Sequence, residues 1–377
     1  MSEIQKIAII AGQLVVGGAE RQLFLWLKYM DRSRFSPVVI TLHPGFNDYW
    51  EKPIEELRIP ILGVAQKQLK WMRLIDIFKT LRPFKPDLIH GWHLFASPYA
   101  GITAKAMDCP SLGGFRDSYN IFRKSGRIGK LAIGLTDGIL INSKSTAEKI
   151  QSVYPKRADR VFSVQNAVLD DYLERSKARE KLSEILQLDP QKTWVGSMGR
   201  LDPKKRFDFL LQVISEINDE TFQCTLIGDG LEKQKLVNLS SALGISHKVI
   251  FSGEIPNAAS YLKALDIFIF TSFDEGLPNV ILEAAMAGLP IVTWDLPFYR
   301  EILENEKTGL LVEAGNVRKL EEAVSRLIAS PQLRSQLGRE AQAHIQNQFC
   351  LEQYIHNMTA VYEDLLDSSA QSPAAKR

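Results

Sequence analysis

The residues best suited to chemistry form one run in the second half of the chain, Phe273-Asp274-Glu275-Gly276-Leu277-Pro278-Asn279-Val280-Ile281-Leu282-Glu283-Ala284-Ala285-Met286-Ala287-Gly288. A strand-like stretch, Ile267 to Thr271, ends just ahead of it, Pro278 suits a first helical turn, and Gly288 suits a helix C-terminus. Glu275 is therefore expected in a loop over a strand end, and Glu283 inside the helix that follows. Two carboxylates so placed can accept hydrogen bonds from several hydroxyls of one polyol, while the helix N-terminus between them favours an anionic group. The spacing equally permits Glu283 as a buried cap or ion-pair partner and Glu275 as a solvated side chain.

A second strand end carries Gly196-Ser197-Met198-Gly199-Arg200-Leu201-Asp202-Pro203-Lys204-Lys205-Arg206. Arg200 offers a planar fork to phosphate oxygens, Lys205 adds a point charge, and the helix starting near Arg206 adds its N-terminal dipole. A solvated basic turn has the same composition, but the acidic run at the equivalent edge of the same sheet favours the phosphate reading.

Nearer the N-terminus, Gly17-Gly18-Ala19-Glu20 closes a long first loop and opens a helix. Its adjacent glycines permit either close backbone approach to a phosphate or sugar, or simply a tight turn. The spacing is not GxGxxG, and no acidic residue follows the second strand near Leu42, so dinucleotide binding fits poorly. His90 and His93 lack a nearby third ligand for a metal. One of them polarising a substrate hydroxyl, or packing as a satisfied side chain, fits better. Phe115-Arg116-Asp117-Ser118 follows another short strand-like run, either as ligand contacts or as a surface ion pair. Between Lys67 and Lys85 six cations face Asp76 alone, interleaved with Trp71, Met72, Leu74, Ile75, Ile77, Phe78 and Leu81. A helix packed on its own sheet with a basic outer face accounts for this, and so does an anionic bilayer, with the packed helix preferred.

These groups need a scaffold that sets strand ends side by side. Apolar strand-like runs alternate with helical periodicity from end to end, which predicts an α/β fold with parallel sheets. Strands are expected at Ile7 to Ile10, Pro37 to Leu42, Asp87 to His90 and Gly138 to Asn142, then at Thr193 to Met198, Phe222 to Ile227, Val249 to Ser252, Ile267 to Thr271 and Ile291 to Trp294. At 377 residues the chain has room for two such domains. Leu169 to Lys192 is charged and weakly patterned, so it reads as the linker. The expected divisions are 1–185, 186–350, a C-terminal helix 351–367 and a disordered tail 368–377, with two doubly wound domains facing a cleft. In such sheets ligands sit beyond the carboxyl ends of the strands, where the loops above fall.

Composition excludes several alternatives. With 46 Lys+Arg against 44 Asp+Glu the net charge is +2, so no global field recruits nucleic acid. Cys109, Cys224 and Cys350 are far apart and form no CxxC pair, which fits a reducing cytosol. No apolar run has membrane-spanning length, and Met1-Ser2-Glu3 does not open a signal peptide.

Taken together the residues resemble the retaining, GT-B-fold sugar-nucleotide glycosyltransferases of family 4. The resemblance rests on Gly199-Arg200-Leu201 with Lys205, Leu226-Ile227-Gly228-Asp229-Gly230, Phe251-Ser252-Gly253, Glu275 to Gly288 and Thr308-Gly309-Leu310-Leu311-Val312, with Gly17-Gly18-Ala19-Glu20 and Asn142-Ser143 in the first half. It implies that Arg200 and Lys205 hold the donor diphosphate, Glu283 the ribose and Glu275 the donor sugar. Backbone around Gly253 to Pro256, Ile255 included, would face the base, and Gly17, Gly18, Gly276 and Leu277 would complete the donor site. It also implies no metal and no cofactor beyond the nucleotide sugar, and a C-terminal helix crossing back to the first domain. The first domain would be the acceptor side, with Arg116 and Asp117 as candidates there. Three departures stand out: Arg116 occupies the place of a frequent catalytic His, which is then either absent, with Arg116 in its role, or supplied by His93; Asn166-Ala167 replaces Asn-Gly; and Pro297-Phe298 stands where paired glycines usually precede Glu301. The expected reaction moves a sugar from a nucleotide diphosphate to a hydroxyl of a glycan or lipid-linked glycan, with retention. An epimerase or phosphorylase of the same fold, or a catalytically silent sugar-binding protein, are the alternatives. The chain would work in the cytoplasm, at the inner face of the membrane where the acceptor is lipid-borne.

Overall fold

The computed structural model describes residues 3–45, 48–64 and 69–370. The chain forms two compact units, one comprising residues up to Asn166 together with those from Glu352 onward, the other Ala167–Leu351.

In the first unit the strands are β1 (Gln5–Ala11), β2 (Phe35–Thr41), β3 (Ile61–Gly63), β4 (Leu88–Gly91), β5 (Ser111–Phe115), β6 (Gly138–Ile141) and β7 (Val161–Ser163). They lie in the order β3-β2-β1-β4-β5-β6-β7, every neighbouring pair parallel. β1 is central, and Ile7 to Ala11 are fully buried because helices cover both faces of such a sheet. In the second unit β8 (Thr193–Met198), β9 (Phe222–Ile227), β10 (Val249–Gly253), β11 (Ile267–Phe270), β12 (Ile291–Trp294) and β13 (Leu310–Val312) take the order β10-β9-β8-β11-β12-β13, again all parallel. Both units are doubly wound α/β folds of the Rossmann-like kind, the class expected from the sequence.

The segment read as a linker folds otherwise. Residues Arg175–Leu186 form a helix whose Ala178, Leu182 and Leu186 are buried in the second core. Arg175 and Arg179 both pair with Asp266, at 2.5 and 2.9 Å, and the Arg179 guanidinium lies 3.9 Å from the Trp194 ring centroid. The chain thus changes unit at Asn166, ahead of the 185/186 division drawn from sequence, because a charged outer face concealed a narrow apolar stripe.

The C-terminal helix runs Leu351–Ala370 and belongs to the first unit from Glu352. Tyr354, Met358, Tyr362 and Leu365 are buried, as their spacing predicts. Tyr362 accepts from Trp26 Nε1 at 3.1 Å and lies 2.9 Å from His90 Nδ1, while Tyr354 donates to the Gln22 carbonyl at 3.1 Å. Residues 368–370, expected in a disordered tail, complete this helix; the rest of that tail lies outside the described residues, as does Lys67 of the basic segment. No helix among the described residues is long and apolar enough to cross a membrane.

Candidate functional site

The second unit places its chemistry at the carboxyl ends of β8, β9 and β11. The loops after β8 and β9 are laid back to back: Gly199 N donates to the Ile227 carbonyl at 2.9 Å and Leu201 N to the Asp229 carbonyl at 2.8 Å. Gly228 and Gly230 have φ of 138° and 158°, and a Cβ on them would fall 2.1 Å from the Gly199 oxygen and 2.4 Å from the Leu201 oxygen. Only glycine fits this approach, which holds Arg200 at the surface. The Arg200 side chain is exposed and makes no hydrogen bond or ion pair among the described residues.

Lys205 sits in a tight turn, Pro203–Lys205, begun by Asp202, whose side chain accepts from Lys204 N at 3.2 Å. The Thr271 hydroxyl lies within 3.2 Å of the Lys205 carbonyl and 2.9 Å of the Arg206 carbonyl, tying this turn to the end of β11. Lys205 Nζ then reaches Glu275 Oε1 at 2.5 Å, and the Ser272 hydroxyl donates to the same oxygen at 2.7 Å. Burial pushes the Glu275 carboxyl up, but the charges of Lys205 and Lys204, with the hydrogen bonds from Lys205 and Ser272, outweigh it and hold the group below the usual range. Glu275 is thus an ionised carboxylate with a cation already on it.

Glu283 lies in the helix Asn279–Met286 and is buried like Glu275, each 8% exposed, and its backbone carbonyl accepts from the Tyr172 hydroxyl at 2.8 Å. Gly276 and Leu277 are buried between the two carboxylates in sequence. At the end of β10, Gly253 has φ 69° and its carbonyl accepts from Gly228 N at 3.0 Å, and beyond it Ile255 is partly buried against the core. Arg200, Lys205, Glu275, Glu283 and Gly253 to Ile255 therefore all belong to one sheet edge or the helix behind it.

The first unit gathers another group at the carboxyl end of β4. Gly17 precedes the helix Gly18–Tyr29, and a Cβ on it would fall 2.3 Å from Glu20 Oε2. His93 Nε2 lies 3.1 Å from Glu20 Oε1, its ring stacks on Phe95, and its Nδ1 is buried with no hydrogen-bond partner among the described residues. The sequence places Glu20 in the motif Gly17-Gly18-Ala19-Glu20 without a role of its own; it is 73 residues from His93 and only the fold joins the two. Arg116, expected to face an acceptor, instead has Nε and Nη2 shielded from solvent, with its guanidinium 3.8 Å from the Trp92 ring centroid. Burial lowers its pKa, opposed by Tyr354, Tyr362 and Glu20. Its chemistry here is to join the C-terminal helix to the loop carrying His93. Asp117 is partly buried beside Ser118, which caps the helix Tyr119–Lys124. His90 is fully buried, and burial, Arg116 and His93 keep it neutral. Among the described residues no cluster of three or more His, Cys, Asp or Glu is arranged to hold a metal.

Comparison with known proteins follows this division of labour. Residues 178–344 match the glycosyl transferases group 1, and residues 16–172 match glycosyltransferase family 4. The chain is 27% identical over 361 residues to the lipopolysaccharide core biosynthesis glycosyltransferase LpsE of Rhizobium meliloti, covering 93% of this chain and 96% of that one. It is also 27% identical over 357 residues to LpsD of the same organism, a lipopolysaccharide core biosynthesis glycosyltransferase, covering 93% and 95%. The Anabaena protein HepE, solved in complex with UDP and glucose, superposes with a TM-score of 0.82 at 21% identity over 96% of this chain and 100% of that one. Two parallel-sheet units, a match to glycosyl transferases in each, and full-length likeness to such enzymes make this chain a GT-B-fold glycosyltransferase.

Proposed function

We propose that the enzyme transfers a sugar from a nucleotide diphosphate sugar to a hydroxyl of a glycan or lipid-linked glycan, with retention of anomeric configuration and without a metal ion. The observation that carries the reading is the Lys205–Glu275 contact of 2.5 Å at the same sheet edge as Arg200, whose side chain has no partner among the described residues. In the step, the bond between the anomeric carbon and the diphosphate oxygen breaks, and the acceptor oxygen bonds that carbon on the same face. The acceptor proton passes to the departing diphosphate. Arg200 and Lys205 take up the growing charge, the work a preorganised cationic site does best. Glu275 orients the sugar hydroxyls and Glu283 the ribose. The likeness to LpsE and LpsD supports a glycan acceptor, and the UDP in HepE makes UDP sugars the first donors to try. In the first unit, His93 steadied by Glu20 is assigned to substrate hydroxyls.

The test is incubation with a panel of nucleotide diphosphate sugars and lipopolysaccharide-core or lipid-linked glycans, with NMR of the new linkage. An inverted linkage would refute retention. A sugar altered without acceptor would indicate an epimerase, dependence on inorganic phosphate a phosphorylase, and binding without turnover a silent sugar-binding protein. Undiminished turnover in chelator would support the metal-free step, and its loss would refute it.

The acceptor is assigned to an anionic membrane surface. The first unit carries 26 Lys and Arg against 18 Asp and Glu, net +8, and the second 20 against 26, net −6, together the +2 of the whole chain. On the helix Lys70–Leu81, Trp71 is 59% and Ile75 44% exposed, with Lys79, Arg82 and Lys85 also exposed. The helix Arg127–Leu135 shows an outward stripe of Ile128, Leu131 and Leu135 beside Arg123, Lys124, Arg127 and Lys130, none in an ion pair among the described residues. Such faces suit anionic headgroups over acyl chains. Sedimentation with phosphatidylglycerol vesicles, lost in Arg127→Glu with Lys130→Glu and in high salt, is expected; equal pelleting of variant and wild type, or none by either, refutes it.

A further inference from the structure

At the end of β11 Phe270 is the last residue paired with β12, yet the chain beyond it must deliver Thr271, Ser272 and Glu275 accurately. Three consecutive carbonyls in this stretch each accept a side-chain hydrogen bond from the neighbouring segment. Thr293 Oγ1 donates to the Phe270 carbonyl at 2.8 Å, Trp294 Nε1 to the Thr271 carbonyl at 2.8 Å, and the Tyr299 hydroxyl to the Ser272 carbonyl at 2.9 Å. All three donors are fully buried. Thr293 and Trp294 end β12, and Tyr299 comes from the short helix Pro297–Arg300. That helix occupies the stretch where the sequence departs from the paired glycines of similar enzymes.

The held residues are those that set the site. Thr271 grips the carbonyls of Lys205 and Arg206, and Ser272 donates to Glu275 Oε1, the atom Lys205 also reaches. Aromatic packing keeps the donors in place: Trp294 meets Phe209 edge-on at 5.5 Å and Phe273 at 5.4 Å, and Tyr299 meets Phe270 edge-on at 6.3 Å. An apolar core of the same shape would need none of these donors, since a buried ring stabilises by area alone. Past the last ladder pair, Phe270 with Thr293, the Trp294 and Tyr299 donors instead satisfy the carbonyls of Thr271 and Ser272, and so select one path for the chain.

We infer that Thr293, Trp294 and Tyr299 are positioning residues of the donor site, which fix the Lys205–Glu275 pair through the backbone of residues 270–272. The inference rests on the assignment of that pair to the donor site, but its test reads the pair directly and needs no donor. Lys204, Lys205 and Tyr299 are the titratable groups that face Glu275. The experiment follows the Glu275 carboxyl by 13C NMR in protein labelled at glutamate, assigned with Glu275→Gln, through a pH titration of wild type, Tyr299→Phe, Trp294→Phe and Lys205→Ala, with the melting temperature of each. Lys205→Ala calibrates the shift caused by losing the cation. Tyr299→Phe and Trp294→Phe keep the ring and remove one donor, and the expected result is a Glu275 midpoint moved upward, toward that of Lys205→Ala, with the fold retained. Should either variant fail to fold, Thr293→Val at the same ladder end serves the same comparison. Midpoints that stay at the wild-type value while Lys205→Ala moves would overturn the inference and leave these side chains as ordinary core. A wild-type midpoint unaffected by Lys205→Ala would instead count against the pair itself, and with it the proposed donor site.

Discussion

Replacing Lys205 with Ala leaves Glu275 buried with its main counter-charge gone. The two side chains are 15% and 10% exposed and meet at 2.5 Å. Removing one member of a buried pair costs about 3–5 kcal/mol, because the remaining charge keeps its desolvation penalty. For a unit the size of Ala167–Leu351, each kcal/mol shifts the melting temperature by about 2–4 °C, so a drop of roughly 6–20 °C is expected at pH 7. The pH dependence carries a sign. In the wild type the folded Glu275 carboxyl titrates below its unfolded value of about 4.3, so its contribution is complete above that pH and is lost as pH falls through the lower folded value. In Lys205→Ala, burial, the largest influence and an upward one, acts against less opposition. Protonation then relieves the buried charge, and the deficit relative to wild type shrinks on acidification. Adding Glu275→Gln should recover most of the loss, since replacing both members of such a pair is often neutral or stabilising. Calorimetry of the four proteins of this cycle from pH 7 to 4 decides it. A Lys205→Ala protein that melts with wild type, or whose deficit is constant with pH, would refute the buried-pair reasoning.

Arg200→Ala should lower kcat/KM by about a hundredfold or more while the melting temperature stays put, since the side chain is exposed and makes no hydrogen bond or ion pair among the described residues; wild-type turnover would remove it from the proposed site. Glu283→Ala should weaken calorimetric binding of free UDP, whereas Glu275→Ala should spare UDP binding and lose turnover; equal losses would contradict the division between ribose and sugar. Gly228→Ala must place a Cβ 2.1 Å from the Gly199 oxygen at φ 138°. Strain and overpacking together should cost about 2–6 kcal/mol, read by urea unfolding.

The strands were legible where burial on both faces made the sequence continuously apolar. Thr193–Met198, Phe222–Ile227 and Ile291–Trp294 lie where the pattern put them. β3 and β13, three residues each at sheet edges, are too short to show a period and were not read as strands. Arg175–Leu186 was hidden by its charges, because the buried residues are only every fourth one. At the candidate site, residue types and spacing pointed to Arg200, Lys205, Glu275 and Glu283, since each follows a strand end in sequence. The Glu20–His93 contact was not legible, because it joins two elements through the sheet order. Neither were the donors Trp294 and Tyr299, whose partners are backbone carbonyls that no side-chain pattern records.

The division of charge between the units bears on how an anionic donor finds its place. The match to glycosyl transferases group 1 falls on the unit whose net charge is −6. A nucleotide diphosphate is therefore not drawn in by the long-range field of that unit, which is screened over about 8 Å at physiological ionic strength in any case. On the proposed assignment attraction would be local, from the loop after β8, which sets Arg200, Lys204, Lys205 and Arg206 against Asp202 within seven residues. Of these, Arg206 is spent on Asp208, at 2.8 Å, and Lys205 on Glu275. Lys204 also has a partner, so Arg200, exposed and without a side-chain partner among the described residues, would be the first cation that the proposed site offers to an incoming phosphate. On the proposed assignment Lys205 would follow by sharing itself between phosphate and Glu275, so that binding the diphosphate and orienting the sugar through the Glu275 carboxylate would be one event at one ammonium group.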